Sequence, residues 1–220
     1  MGIAEGKGGS FEEEVRRAER TLARRDPILR GLVRRYGSCQ ICPHPDYFDA
    51  LVRSILSQQL STKAAATIYC RFLALYATQT SPSPGMILAT PTESLRSVGI
   101  SAQKIGYLRD LSQSVEEGRL SLAHFPQLTD EEIIRQLVVI KGIGVWTVQM
   151  LLIFSLGRLD VLPVGDLGIR KAIQRWFSED APPSPLPGPA EIESIALQRR
   201  WAPYRSVASW YLWRSLENTP

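Results

Sequence analysis

The sequence predicts an all-α protein. Apolar residues recur at the three- and four-residue spacing of a helix face through most of the 220 residues. Glycines and prolines separate these segments, as is typical of turns between helices. No stretch alternates apolar and polar residues over a useful length, so no β-sheet is predicted. A chain of this length can bury a core either as one domain or as two small lobes.

Helical segments are predicted to fill the first part of the chain. Residues 11–37 carry helically spaced apolar residues, and Pro27 within them either breaks a helix or starts one. Residues 46–60 and 61–76 each place apolar residues on one helical face, and a hydroxyl residue caps the start of the second segment.

The middle of the chain is predicted to alternate short helices with loops. The stretches TSPSPGM (80–86) and SLAHFPQL (121–128) contain prolines and polar residues, so both are predicted to be loops. Between them, Gly99 and Gly118 are predicted to end helices, because glycine adopts the left-handed conformation that often follows a helix.

The last part of the chain is predicted to be helical again. Thr129 and Glu132 have the spacing of a capping box. The apolar stripe that follows consists of Ile133, Ile134, Leu137 and Val138. This helix stops at KGIG (141–144) and another follows at once. After a short extended crossing a helix starts at Asp166, a proline-rich loop covers 178–190, and a final helix or pair of helices follows.

The charge composition is biased toward arginine. The chain has 26 basic and 22 acidic residues, a net charge of +4, and 21 of the basic residues are arginine. Arginine suits bidentate contacts to phosphate, and from Arg135 to Arg214 there are ten basic residues and six acidic ones. This bias fits either a phosphate-binding surface or an ordinary solvated face.

Neither a membrane span nor secretion is predicted. No apolar run approaches the roughly 18 residues that a span requires, and the start MGIAEGKGGSFEEE lacks the apolar core of a signal peptide. We therefore expect a cytoplasmic protein with no membrane partner.

Three cysteines raise the question of metal or redox chemistry. Cys39 and Cys42 form a C-x-x-C with His44 close by, but a structural zinc site needs four ligands. The only other candidates are Cys70, which is predicted to be buried in an apolar helix, and His124. Plain structural roles are therefore favoured over a metal site or a redox pair.

The hairpin KGIG (141–144) is the first candidate site. Its glycines permit positive φ and let a ligand approach the backbone without a Cβ in the way. Its amides, together with the N-terminus of the following helix, favour an anion such as phosphate. The alternative is a plain turn between two helices with a glycine cap, but Lys141 and the central Ile143, which can fill the space between the two helices, favour the phosphate interpretation.

Asp166 is the second candidate, at the start of the helix in VLPVGDLGIRKAI. Its simplest role is to cap that helix, worth about 1 kcal/mol. The same helix N-terminus favours a negative charge on the carboxylate, which suits an anion that faces a developing positive charge.

The hairpin, the crossing and the aspartate together resemble the signature of the helix-hairpin-helix (HhH-GPD) DNA glycosylase superfamily. DYFDALVRSILSQQLSTKAA resembles the superfamily's DNA-inserting helix-loop-helix, and RWAPYRSVASWYLWR resembles the C-terminal segment of its alkylbase branch, 3-methyladenine DNA glycosylase II. The resemblance covers roughly residues 25 to 216.

The resemblance implies two helical lobes that contain the helix-hairpin-helix motif, with the active-site cleft between them and no N-terminal β domain. Residues 1–24 are then a polar segment or a helix that packs on the C-terminal lobe, and 25–220 form the glycosylase domain. Within that domain we expect a six-helix-type lobe, the motif with its aspartate, and C-terminal helices; their ranges are about 47–128, 129–178 and 179–220.

The resemblance also implies roles for individual residues. Asp166 takes the place of the catalytic aspartate, and Trp146 and Met150 line the base pocket. Gln59, or Leu60 next to it, falls at the wedge that fills the gap left by a flipped base. The positions that resemble DNA-phosphate contacts are Lys141, Gly142, Ile143, Gly144, Thr147, Arg170 and Arg205.

Trp146 bears on the reaction type, because lyase-competent relatives carry a catalytic lysine at that position and tryptophan cannot form a Schiff base. The resemblance therefore implies a monofunctional glycosylase that hydrolyses the N-glycosidic bond of alkylated bases such as 3-methyladenine and so initiates base excision repair. The open alternatives are a glycosylase for another damaged or mismatched base, and a non-catalytic helix-hairpin-helix DNA-binding module.

The implied partner is double-stranded DNA with a damaged base, bound by a monomer in the nucleoid. No iron–sulfur cluster is expected, because the C-terminus lacks the four cysteines of some relatives. No metal-binding side chains are expected either, although Na⁺ or K⁺ can bind the hairpin carbonyls of such proteins when DNA is bound.

Overall fold

A computed structural model describes residues 10–76, 81–177 and 185–217. These residues form twelve α-helices: α1 (Phe11–Arg25), α2 (Pro27–Tyr36), α3 (Tyr47–Ser57), α4 (Thr62–Ala74), α5 (Pro84–Ala89), α6 (Thr92–Ser97), α7 (Ala102–Glu116), α8 (Asp130–Leu137), α9 (Val145–Phe154), α10 (Leu167–Phe177), α11 (Pro189–Gln198) and α12 (Arg205–Glu217). A 3-10 helix, Leu122–Gln127, precedes α8. The described residues contain no strand, and the predicted all-α class is confirmed.

Side-chain caps set several of the helix starts. Pro27 starts α2 rather than breaking a longer helix, because Asp26 accepts hydrogen bonds from the N–H groups of the first turn. The predicted capping box of α8 is present: the Thr129 hydroxyl accepts the Glu132 N–H, and the Glu132 carboxylate accepts the Thr129 N–H. These caps satisfy N–H groups that a helix start otherwise leaves unpaired.

Four local predictions are wrong. The stretch 80–86 is not all loop, because Ser83 caps α5 and Pro84 is its first residue. The stretch 121–128 is mostly 3-10 helix. Val138 was predicted to be part of the apolar stripe of α8, but it is the C-cap residue after that helix and is 39% exposed. Cys70 is exposed, because it lies on the face of α4 away from the buried Tyr69 and Phe72.

The helices divide into two compact units. One consists of the described residues up to Pro43 and from Gly157 onward, and the other is His44–Leu156. The part of the predicted proline-rich loop at 178–184 lies outside the described residues. No helix among the described residues is both long and apolar enough to cross a membrane.

In the first unit, α12 packs on α1, α2 and α10, around the fully buried Trp201 and Tyr211. Buried acids in this unit are paired, as their desolvation requires. Asp26 accepts the Trp201 indole N–H at 2.9 Å, and Glu19 accepts the Cys39 backbone N–H at 2.6 Å. Burial, together with the nearby Glu19 charge, raises the pKa of the Cys39 thiol to about 12 and outweighs the lowering by the Ile41 backbone hydrogen bond, so this thiol is not a reactive one.

In the second unit, α3 packs on α4, α7 and α9, and α8 packs on α9. A buried carboxylate joins α3 to α4: Asp49 accepts the Tyr69 hydroxyl and the Ser81 hydroxyl, both at 2.5 Å, and the Arg53 guanidinium at 2.6 Å. Burial raises the pKa of Asp49, but these three hydrogen bonds outweigh it and hold the pKa below its ordinary value. The start of α3 is therefore fixed beside α4.

Candidate functional site

The hairpin lies in the unit His44–Leu156 and consists of α8, residues 138–144 and α9. Gly142 has a φ of 82°, a conformation that favours glycine. Ile143 is 4% exposed, in agreement with a central aliphatic residue that fills space at the turn. Gly144 is the N-cap of α9 and offers no side-chain cap. An N-terminus without a side-chain cap favours an anion as the partner of its N–H groups.

The two glycines of the hairpin are constrained differently, and this gives a first prediction. Gly142→Ala is expected to lower the free energy of unfolding by about 1–3 kcal/mol, because alanine is strained at positive φ and its Cβ would collide with the Tyr107 ring. Gly144→Ala is the matched control, since its φ is −100° and its Cβ would meet nothing within 4 Å. Thermal unfolding should show a clearly larger drop in Tm for Gly142→Ala than for Gly144→Ala, in which only a weak glycine N-cap is replaced. Equal losses in both variants would contradict this account.

Two polar contacts fix the hairpin to the rest of its unit. The Gln58 side-chain amide donates to the Gly142 carbonyl at 2.7 Å, and the Lys141 backbone N–H donates to the Asp110 carboxylate at 2.8 Å. With the Tyr107 ring, α7 thus contributes two of the groups that hold the turn. The Lys141 side chain itself is exposed, so its charge can face a ligand while its backbone is held.

The predicted wedge lies between α3 and α4, beside the hairpin contact of Gln58. Gln59 has a φ of 57°, which costs a residue other than glycine conformational energy. Leu60 follows with 38% of its surface exposed, and its N–H donates to the Ser57 carbonyl at 3.1 Å. Both wedge candidates are therefore exposed at a strained turn, and the structure brings this loop and the hairpin together through Gln58.

Lys104, on α7, supports residues 58–61 between α3 and α4, which we call the wedge loop. Its ammonium donates to the Leu56 carbonyl at 2.6 Å, at the C-terminal end of α3 where a positive charge is favourable. Burial lowers the pKa of Lys104 below the ordinary lysine value. One helix, α7, therefore holds both the wedge loop and the hairpin.

Some side chains of α9 are buried and others are exposed. Trp146, in the first turn, is 48% exposed, and Met150 one turn later is half-buried. Thr147 is 6% exposed, so its side chain is covered, and the phosphate contact predicted at this position stays a prediction. A half-exposed tryptophan directly after an anion-favouring turn is suited to stacking against a flat ligand.

Asp166 lies in the other unit and caps α10. Its Oδ1 atom accepts the Ile169 backbone N–H at 2.8 Å and the Trp213 indole N–H at 2.8 Å. The predicted cap is therefore present, and Trp213 from α12 is a second donor that the sequence did not reveal. Gly168 is required beside this pair, because a Cβ there would lie 2.9 Å from the Trp213 ring and 3.0 Å from Oδ1. The carboxylate is held in one orientation at a helix N-terminus.

The two predicted phosphate-binding arginines both have protein partners. The Arg170 guanidinium donates to the carbonyls of Pro187 and Leu186 at 2.9 and 3.2 Å. The Arg205 guanidinium forms a bidentate pair with Asp160 at 2.8 and 2.9 Å. Their phosphate contacts stay predictions, since either side chain would have to share or leave these partners to bind DNA.

Comparison with known proteins matches this arrangement to one family. The family model described as HhH-GPD superfamily base excision DNA repair protein matches residues 52–197. That range contains the wedge loop, the hairpin and Asp166.

Relatives of known name are similar over most of the chain. DNA-3-methyladenine glycosylase 1 of Schizosaccharomyces pombe is 38% identical over 170 residues, which cover 76% of this chain and 72% of that protein. The Bacillus subtilis protein YfjP is 37% identical over 175 residues, which cover 77% of this chain and 59% of YfjP. The solved structure of the S. pombe 3-methyladenine DNA glycosylase in complex with abasic DNA matches with a TM-score of 0.80 and 33% identity, over 91% of this chain and 97% of that one.

Proposed function

The chain belongs to the HhH-GPD superfamily of base excision DNA repair proteins, and on that premise we propose that it is a monofunctional DNA glycosylase for alkylated bases. It would hydrolyse the N-glycosidic bond of 3-methyladenine and similar bases in duplex DNA, as a monomer in the nucleoid. The names of its relatives support this substrate class. The observation that carries the proposal is the Asp166 carboxylate, held by the Ile169 N–H and the Trp213 indole.

The proposed mechanism begins with extrusion of the damaged nucleotide, because the bond to be cut is buried in the duplex. Gln59 or Leu60 would occupy the gap and offset the cost of unstacking, which is a few kcal/mol. The strained, exposed wedge loop supports that role. The amides of Gly142, Ile143 and Gly144 and the first turn of α9, with Lys141 nearby, would bind a phosphate of the same strand.

Chemistry then takes place at the anomeric carbon of the sugar. The bond from this carbon to the base nitrogen breaks, and its electron pair leaves with the base, so a cationic alkylated base departs neutral. The sugar acquires an oxocarbenium-like charge, which Asp166 would stabilise electrostatically. Water adds to the anomeric carbon and gives up one proton, to Asp166 or to solvent, which leaves the free base and an abasic sugar.

The proposal excludes a lyase step at the hairpin. A lyase attacks the anomeric carbon with an amine and passes through a Schiff base. Trp146 offers no such amine. It would instead stack on the extruded base, a contact worth about 1–3 kcal/mol, and the Met150 side chain would shape the pocket beside it.

A monovalent cation fits the hairpin without contributing to the chemical step. The Ile140 carbonyl accepts the Ile143 N–H at 3.1 Å and the Gly142 carbonyl accepts Gln58 at 2.7 Å. Each of these neutral oxygens keeps a second lone pair, which suits Na⁺ or K⁺ and not a transition metal. When bound, the ion would add positive charge opposite a DNA phosphate.

The direct test is excision of 3-methyladenine from a duplex by purified protein. Free base should be released and the strand should stay intact until alkali cleaves the abasic site. A parallel panel of oxidised, deaminated and mismatched bases would reveal a different substrate. Trapping of a covalent DNA adduct by borohydride would overturn the monofunctional assignment, and tight DNA binding with no excision of any base would leave a non-catalytic binding module.

A further inference from the structure

Beyond the acidic first turn of α1, which holds Glu12, Glu13 and Glu14, the surface of α1 and α2 is positively charged. From Arg16 to Arg35 there are eight arginines and only two acidic residues, Glu19 and Asp26. Both acids are buried, at 8% and 0% exposure, and both accept hydrogen bonds from inside their own unit. The eight arginines are all exposed, so the charge that this stretch presents to solvent is positive throughout.

Some of these arginines have structural roles. The Arg25 guanidinium donates to the carbonyls of Arg200 and Ala202, both at 2.8 Å. Arg30 donates to the Ala23 carbonyl at 2.7 Å, and Arg16 pairs with Glu12 at 3.3 Å. The arginines without such a contact are Arg34 and Arg35 at the end of α2, where Arg35 lies over the Tyr36 ring, and three arginines on α1.

Arg17, Arg20 and Arg24 form what we name the α1 arginine face. Their spacing of three and four residues puts them along one side of the helix, while Val15, Ala18 and Leu22 are buried on the other side. None of the three forms an ion pair within the described residues. Like charges four residues apart, as in Arg20 and Arg24, repel each other and destabilise a helix.

Within the helix, Arg24 gains from its place in the last turn and Arg17 from Glu13 four residues before it, while Arg20 has no such support. What the three arginines share is a positive surface with no ion-pair partner among the described residues, and a polyanion complements such a surface. Arginine presents a planar fork that binds phosphate in a bidentate manner, and duplex DNA carries a negative charge about every 1.7 Å along its axis. The eight residues of helix from Arg17 to Arg24 extend about 10 Å and would face several of those charges.

We infer that the α1 arginine face binds the sugar–phosphate backbone of duplex DNA, as a contact additional to the hairpin. The inference rests on the proposed function for the presence of DNA as the substrate. Its role is sequence-independent attraction, which raises the affinity for undamaged duplex and steers association. It makes no contact with the damaged base and takes no part in catalysis.

The test compares two triple variants of the full chain. Arg17→Gln/Arg20→Gln/Arg24→Gln removes the charge, and Arg17→Lys/Arg20→Lys/Arg24→Lys keeps it. Affinity for an undamaged duplex is measured from about 50 to about 300 mM salt. With one counterion released per phosphate contact, the glutamine variant should lose about 2–3 from the slope of log Kd against log salt and bind about tenfold or more weakly at low salt. The lysine variant should keep most of the slope.

Two further readouts separate this role from others. The Tm of the glutamine variant should change little, because all three arginines are exposed and none forms an ion pair among the described residues. Its single-turnover excision at saturating protein should match the wild type. Equal salt slopes in the glutamine variant and the wild type would overturn the inference. So would a glutamine variant whose slope is lower than that of the wild type on single-stranded RNA but unchanged on duplex DNA. Wild-type protein that binds duplex with the expected slope but excises nothing would refute the proposed function alone.

Discussion

Asp166→Asn is expected to lower the single-turnover rate of 3-methyladenine excision by at least about 10³-fold and to leave duplex binding within a few fold of wild type. Removing one preorganised group that stabilises developing charge costs 10²–10³-fold in other enzymes, roughly 3–4 kcal/mol. Loss of a full negative charge opposite an oxocarbenium-like sugar should cost no less. The measurement is release of free base from a labelled duplex under saturating protein.

Asparagine is the informative replacement because it preserves the local structure. Asn caps helices about as well as Asp, and its amide oxygen can still accept the Ile169 and Trp213 N–H groups that Oδ1 accepts in the wild type. The Tm should therefore change little, which separates loss of charge from loss of fold. Asp166→Ala, by contrast, should lose excision and also about 1 kcal/mol of stability with the cap.

Trp213→Phe provides a graded control for the same site. It removes one donor to Asp166 and keeps most of the aromatic volume beside Gly168. A carboxylate that keeps its charge but loses one orienting hydrogen bond should retain activity between those of wild type and Asp166→Asn. An Asp166→Asn protein with excision within tenfold of wild type would show that this carboxylate has no catalytic role.

The sequence predicted the helix starts of this fold better than its buried faces. Thr129 three residues before Glu132, and Asp166 at the start of α10, are local signals whose hydrogen bonds lie within a few residues, and both caps are present. Burial depends on which helix packs against a face. Cys70 lies in an apolar pattern yet is exposed. The spacing of apolar residues in α4 shows which side chains share a face, but it does not show how much of the helix surface around Tyr69 and Phe72 is covered by other helices.

Proline explains why the start of α5 was predicted to be a loop. The prolines of TSPSPGM are equally typical of a loop and of the first turn of a helix. The Ser83 hydroxyl, which accepts the Met86 N–H at 3.3 Å, decides for a helix at Pro84. That contact could have been anticipated from a serine directly before a proline, but six residues of helix are too few for an apolar period to appear.

The candidate site was predictable only where its residues are neighbours in the chain. The hairpin and the Asp166 cap are each contained within a few residues, so their motifs are visible in the sequence. Their supports are distant: Trp213 lies 47 residues from Asp166, and Gln58 lies 84 residues from Gly142. No periodicity or capping rule links such pairs.

The surroundings of the two hairpin glycines show that the fold requires glycine at one position and not at the other. Gly142 is required by the protein, because its positive φ and the Tyr107 ring exclude a side chain. Gly144 has open space around its missing Cβ, so the unbound protein sets no such requirement. Two physical reasons remain for a glycine there: it is the N-cap of α9, a position that glycine favours, and it lets a ligand approach the backbone closely, as the proposed phosphate contact requires.

Trp146→Ala is expected to slow excision of 3-methyladenine by about 10- to 100-fold. A stacked base is worth about 1–3 kcal/mol, and a cationic base gains a further attraction to the face of an indole ring. Removal of the ring should therefore cost more for a positively charged alkylated base than for a neutral one in the same duplex. The measurement is a pair of single-turnover rates, one for each base.

This variant should stay folded, because Trp146 is 48% exposed and lies at the start of α9. Loss of the covered half of the ring should lower the free energy of unfolding by about 1–2 kcal/mol, so the rates are compared at a temperature at which thermal unfolding shows both proteins to be folded. Trp146→Phe is the matched control: phenylalanine keeps a stacking face with a weaker attraction for cations, and so it should recover most of the rate on the neutral base and less on the cationic one. Equal losses on both bases in Trp146→Ala, with full recovery by phenylalanine, would indicate that the ring fills space in the pocket without distinguishing the charge of the base.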